Sequence, residues 1–258
     1  HHYASTGGLN GRPLLSLEAE FSEQATIYHD DPRHCKAAGR NSLSAIMGDI
    51  VHLPGGMMKL HVEAVCSSPI ERVDIFNGLE LIETIRPYSQ NELGNRIKVI
   101  WEGAEYRGRF RQVIWDGSAF LSDNSIVEAK SINFFNKDKS LKKISSNELN
   151  WKALTTGNIG GFEITLADTY SGTLKIETPL IKAGIPIEDI CYEDELFDCS
   201  GVLPRYLKVY RLPTKNPHKT ISFNRSVDLK DSGDNPIFVR ITQEDGTLVW
   251  TSPIYVYR

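Results

Sequence analysis

The sequence predicts an all-β fold: an immunoglobulin-like β-sandwich carrying a β-rich insertion. Three observations lead there. Apolar and polar residues alternate in short runs, the period of half-buried strands. Two turn dipeptides, Asn77-Gly78 and Asp245-Gly246, sit between β-branched and aromatic flanks. Gly, Asn and Asp punctuate the chain at short intervals, while helical periodicity is scarce.

The elements follow in order. Over residues 15–21, Leu15, Leu17, Ala19 and Phe21 share one face; over 58–65, Met58, Leu60, Val62 and Ala64 do the same. Residues 72–82 read as a tight hairpin, because Asn-Gly takes the positive φ angles of a type I′ turn at low steric cost. Residues 96–101 place Ile97, Val99 and Trp101 together. Residues 109–115 alternate likewise, and Asp116-Gly117 marks a turn. A second block offers short strands at 132–135, 149–154, 162–166 and 173–178, broken by Gly157, Gly160, Gly161 and Gly172. The C-terminus gives another hairpin, residues 237–242 returning through 247–250 and 253–257. Pro253 cannot donate to a ladder, which puts that strand at an edge or a bulge. Residues 41–47 and 187–197 are open to short helices. Residues 12–125 with 205–258 are assigned to the sandwich, 126–204 to the insertion, and 1–11 to a linker or the tail of a preceding domain.

The chain has 258 residues and a net charge of -4, which gives no electrostatic reason to expect nucleic acid or an anionic membrane as partner. No apolar run approaches the roughly 18–20 residues of a spanning helix. The first residues, His1-His2-Tyr3, lack an initiator methionine, so the chain is read as processed or cut from something larger, with His1 and His2 native or the end of a tag. Four cysteines are too few for a disulfide framework. Cys191 and Cys199 are close in sequence, and two reduced thiols are the simpler reading.

Several groups of residues offer chemistry. His29, Asp31, His34 and Cys35 combine imidazole, carboxylate and thiol, all zinc ligands, in a segment that also reads as a polar loop. Arg107 and Arg109 lie in an arginine- and aromatic-rich stretch; they either pair with Glu102 and Glu105 or steer an anionic substrate. His61 falls on the polar face of its strand and reads as a surface histidine. The glycine-rich run 155–161 lacks the lysine of a P-loop and reads as a turn between strands. Trp101, Trp115, Trp151 and Trp250 line either a core or a sugar-binding face. Lys137, Lys139, Lys142 and Lys143 read as a solvated loop.

Three further sets of residues carry a resemblance. They are His2-Tyr3-Ala4-Ser5-Thr6-Gly7; Ser68-Pro69-Ile70-Glu71-Arg72-Val73-Asp74-Ile75-Phe76-Asn77-Gly78; and Trp101-Glu102-Gly103-Ala104-Glu105-Tyr106-Arg107-Gly108-Arg109 with Trp115-Asp116-Gly117-Ser118. Together with residues 45–49, 155–158, 239–246 and 250–255, they resemble the C-terminal region of large uncharacterised bacterial proteins bearing a PHP-type (polymerase and histidinol phosphatase) metal-dependent phosphoesterase domain. The resemblance implies that the metal-binding histidines and carboxylates sit in a catalytic barrel absent from this chain. No cofactor is then expected here, a divalent metal being implied for the barrel alone, and the partner is that preceding domain of the same polypeptide. Neither nucleic acid nor membrane is expected, and homo-oligomerisation is left open. The implied role is a non-catalytic accessory region that docks on the barrel or shapes access to it. The alternatives are a carbohydrate-type binding module and an independent metalloenzyme using the loop from His29 to Cys35.

Overall fold

The computed structural model describes residues 4–6, 11–33, 38–108 and 111–258. The chain forms two compact units, one of residues 1–87 with 217–258, the other of residues 88–216. The first contributes β1 (Ala4–Thr6), β2 (Leu14–Tyr28), β3 (Arg40–Ile46), β4 (Ile50–His52), β5 (Met58–Val65), β6 (Ile70–Asn77) and β7 (Glu80–Ile85). The second holds β8 (Leu93–Glu102), β9 (Val113–Ile114), β10 (Gly117–Ser122), β11 (Ile126–Ile132), β12 (Leu141–Lys143) and β13 (Glu148–Trp151). It continues with β14 (Leu154–Thr155), β15 (Ile159–Leu166), β16 (Thr173–Glu177), β17 (Lys182–Pro186), β18 (Glu195–Asp198) and β19 (Tyr206–Pro213). The chain returns to the first unit through β20 (Thr220–Val227), β21 (Asp234–Gln243), β22 (Leu248–Thr251) and β23 (Ile254–Tyr257).

In the first unit β2 serves two partners in succession. Leu14 to Phe21 pairs antiparallel with β5, and Thr26 to Tyr28 pairs with β4. β5 continues to β20; β4 lies parallel to β23, and β21 joins β23 to β6 and β7. In immunoglobulin terms β2, β5 and β20 take the places of A, B and E, and β6, β21 and β23 those of C, F and G. The second unit enters after β7 and leaves before β20, where the D strand would run. Leu15, Leu17, Ala19 and Phe21 of β2 meet Met58, Leu60, Val62 and Ala64 of β5 in the core, as their alternation predicts.

Local chemistry differs from expectation at two places. The register pairs Asn77 with Glu80, so the turn residues are Gly78 and Leu79, and Gly78 carries the positive φ of 62°. A glycine at the first turn position belongs to type II′ rather than I′. Asn77 is drawn into the strand because its buried Nδ2 donates to Asn235 Oδ1 at 2.8 Å. Residues 41–47 and 187–197 are not helices. The first is mostly β3, laid along β2; the second is a single 3₁₀ turn at Ile187–Asp189 followed by β18. Pairing to a neighbouring strand outweighs the weak helical pattern.

The second unit is a sandwich of two five-stranded antiparallel sheets, in the orders β12-β13-β10-β16-β17 and β11-β15-β8-β19-β18. It is wider than the 126–204 segment read from sequence. The reason is physical: Ile97, Val99 and Trp101 of β8 pack with Phe162 and Ile164 of β15 and with Leu207 and Val209 of β19, so β8 and β19 belong to this core. Gly161 makes the pairing of β8 with β15 close. A Cβ there would lie 2.1 Å from the Val99 carbonyl oxygen. Gly161→Ala is therefore expected to destabilise the protein by about 3 kcal/mol, at the upper end of overpacking costs, read from urea unfolding.

Cys191 and Cys199 are unbridged. The Cys191 carbonyl accepts from Arg211 N–H, while Cys199 N–H donates to the Arg205 carbonyl. These anchors lie about 20 Å apart along extended β19, at roughly 3.3 Å per residue, beyond disulfide reach.

Arg211 organises the loops at one end of this sandwich. Its buried guanidinium donates to the carbonyls of Ile190 (2.7 Å), Gly94 (3.0 Å), Thr169 (2.7 Å) and Ile187, and it lies over the Tyr170 ring. Burial lowers its pKa from the ordinary arginine value. The neighbouring turn depends on Asp168. Hydrogen bonds from the Ser171 hydroxyl and from the N–H groups of Ser171 and Tyr170 hold this carboxyl down to about 2. A carboxyl lowered on folding favours the native turn above its unfolded pKa, and that contribution fades as pH falls through about 2. Amide exchange of Tyr170 and Ser171 is expected to lose protection as pH falls from about 4 to 2, and Asp168→Asn to abolish the pH dependence.

Candidate functional site

A cleft of about 210 Å³ opens in the second unit. Trp101, near the end of β8, and Gly160 of β15 form its floor, and they are directly paired across the two strands. One wall is the segment after β11, beginning at Asn133, whose φ of 58° turns the chain out of the strand. That wall brings Phe134, Phe135, Asn136 and Lys139 to the cleft. Leu154 of β14 and the turn with Thr156 and Asn158 form the other side. The strand expected over 132–135 thus ends at Ile132, and the residues after it become a cleft wall.

Trp101 is the centre of an aromatic cluster. Its ring stacks on Trp151 at 5.3 Å and on Trp115 at 6.3 Å, and meets Phe134 edge-on at 6.2 Å. Trp115 Nε1 donates to Thr155 Oγ1 at 2.9 Å, and Trp151 Nε1 donates to the Trp115 carbonyl. Trp101 Nε1 is buried and has no partner. It faces Gly160, where a Cβ would lie only 2.7 Å away. Buried indole N–H groups are normally satisfied, so this one asks for an acceptor from outside the chain.

Among the amides of the wall, Asn133 Nδ2 and Asn158 Nδ2 both donate to the Ile159 carbonyl, at 3.1 and 3.4 Å. Asn136 Oδ1 accepts from the Asp138 N–H at 2.9 Å, and Asn158 Oδ1 accepts from the Thr156 N–H at 2.9 Å. The Asn136 NH₂ remains as a donor. Lys139 Nζ lies 3.9 Å from Asp116 Oδ1, at the outer limit of an ion pair, and keeps a quarter of its side chain exposed. Phe135 presents an exposed ring, 70% accessible.

The residues singled out from sequence do not converge. Asp31 spends both carboxylate oxygens on Arg33, at 3.0 Å to Nε and 2.9 Å to Nη2. His29 is exposed, and His34 and Cys35 lie outside the described residues. Among the described residues no group of three or more His, Cys, Asp and Glu is placed to hold a metal. Asp31 and Arg33 instead line a cleft of about 290 Å³ with Asp234, Tyr255 and Tyr257 in the first unit. Arg107 lies over the Tyr106 ring in a bend rather than a strand, and Arg109 lies outside the described residues. Glu105 and Glu102 pair with Arg205 and Lys208, not with Arg107. His61 bonds Asn224 at 3.0 Å and Glu63 at 3.1 Å on the strand surface, as read. Trp101, Trp115 and Trp151 are core residues, so they form no exposed sugar-binding face; Trp250 is half-buried in β22. The cleft was missed because its donors lie in stretches read as a turn and a lysine-rich loop. The one sequence signal for it is a glycine facing a tryptophan.

Comparison of the chain with protein-family profiles, with curated proteins and with solved structures finds no match.

Proposed function

We propose that this chain is a non-catalytic accessory region that docks on a PHP-type hydrolase domain encoded upstream in the same polypeptide. The observation that carries the reading is β1. The segment around Ala4, Ser5 and Thr6, which the resemblance assigns to the edge of the preceding domain, is laddered onto β22: Ala4 opposite Thr251, Ser5 opposite Trp250, Thr6 opposite Val249. A chain entering this way is tethered to the sandwich by backbone hydrogen bonds rather than by a free linker. A docking face fits the same end of the chain. Leu14, the first residue of β2, and Val65 are 69% and 52% exposed, and with half-buried Ile221 they line a groove of about 510 Å³.

The test is to sequence the reading frame upstream of His1, express the domain it encodes, and run it with this chain on gel filtration. Co-elution is expected, and Leu14→Asp with Val65→Asp is expected to abolish it while leaving the thermal transition intact. An upstream frame with no hydrolase barrel, or halves that elute separately, would overturn the reading.

A further inference from the structure

We infer that the cleft over Trp101 binds an acidic saccharide, a uronate ring seated on Phe135 with its carboxylate toward Lys139. The inference is independent of the docking reading. Three properties of the cleft select this chemistry. First, its size of about 210 Å³ falls below the roughly 300–1,000 Å³ of drug-sized pockets, which suits a single ring rather than an extended ligand. Second, its lining includes three donors, the Trp101 indole N–H, the Asn136 NH₂ and the Lys139 ammonium, with the hydroxyl of Thr156 beside them. A ligand rich in oxygen acceptors complements them. Third, the exposed Phe135 ring stands among these donors. An aromatic face beside hydrogen-bond donors matches a pyranose, whose C–H face is apolar and whose rim is polar.

The unpartnered Trp101 Nε1 is the second, separate argument. Within the same cluster Trp115 and Trp151 each have an acceptor supplied by the chain. Trp101 alone of the three lacks one, and its Nε1 faces Gly160, a residue without a side chain that lines the cleft beside it. Leaving such a buried donor unmet is unfavourable. A ligand oxygen at the Gly160 surface would satisfy it. Lys139 adds selectivity for a carboxylate, because Asp116 at 3.9 Å only partly occupies it.

The experiment uses the full chain with ¹⁵N-labelled tryptophan. The Trp101 indole resonance is assigned from its loss in Trp101→Phe. Trimers of galacturonate, glucuronate, mannuronate and guluronate are titrated, with galactotriose and sodium acetate as comparisons. With at least one uronate trimer the Trp101 indole signal is expected to move saturably. Lys139→Gln and Phe135→Ala, both at accessible positions, are each expected to weaken that binding by about tenfold, the scale of one good contact. A Trp101 signal that stays still with every uronate would overturn the proposal. So would galactotriose binding as tightly as the uronate, acetate producing the same shift, or both variants binding like the parent chain.

Discussion

Arg211→Met is expected to destabilise the protein by about 4 kcal/mol, because it strips one donor group from four carbonyls at once, two of them buried. The carbonyls come from the start of β8 (Gly94), from the turn after β15 (Thr169) and from the 3₁₀ turn and the residue after it (Ile187, Ile190), and the guanidinium is what they share. Its planar fork of five N–H donors suits such a cluster, and it stays charged even though burial lowers its pKa. Arg211→Lys keeps the charge but has one nitrogen, which cannot reach four acceptors; an intermediate loss is expected. Urea unfolding gives the magnitudes, and amide exchange in residues 187–191 locates them. A loss below about 1 kcal/mol for Arg211→Met would mean that the loops hold without the clamp.

The tryptophan cluster gives the second prediction, and here the order of effects matters more than their size. Trp101→Ala should cost about 3–5 kcal/mol by cavity formation at the centre of the sandwich. The phenylalanine series is more discriminating. Trp115→Phe removes the donor that Thr155 Oγ1 accepts from, and Trp151→Phe the donor to the Trp115 carbonyl. Trp101→Phe breaks no hydrogen bond and removes an unmet one. Without ligand, Trp101→Phe should therefore be the mildest of the three by about 1 kcal/mol. Equal losses across the series would mean that Trp101 Nε1 is satisfied in solution, for example by an internal water.

What the sequence made legible was the inward face of each strand. The alternation at Leu15, Leu17, Ala19 and Phe21, and again at Ile97, Val99 and Trp101, is a local property of one strand and survives into both cores. Which strand lies beside which is not local. Nothing in residues 93–102 announces that β19, about a hundred residues later, completes their sheet, so the boundary of the insertion was drawn too narrowly. The turn at Gly78 shows the same limit at shorter range. Asn-Gly identifies a hairpin, but the partner that pulls Asn77 out of the turn is Asn235. The cleft was harder still, because it depends on an absence: the side chain that Gly160 lacks matters only once Trp101 is known to lie opposite it.

The placement of the second unit between β7 and β20 has a consequence for the order of events on the ribosome. β5 and β6 emerge early, but their partners β20 and β21 are made only after the whole of residues 88–216. Until then the first sandwich is half a fold with unsatisfied edges, a state open to misassociation. The inserted unit has all its strands between its own ends, and Leu93 pairs with Pro213 to bring those ends together. It can complete itself first and in doing so shorten a loop of more than a hundred residues to the width of one strand pair. Synthesis of the insert is then what lets the N-terminal strands find their C-terminal partners, and mutations that cripple it should appear as insolubility of the entire chain.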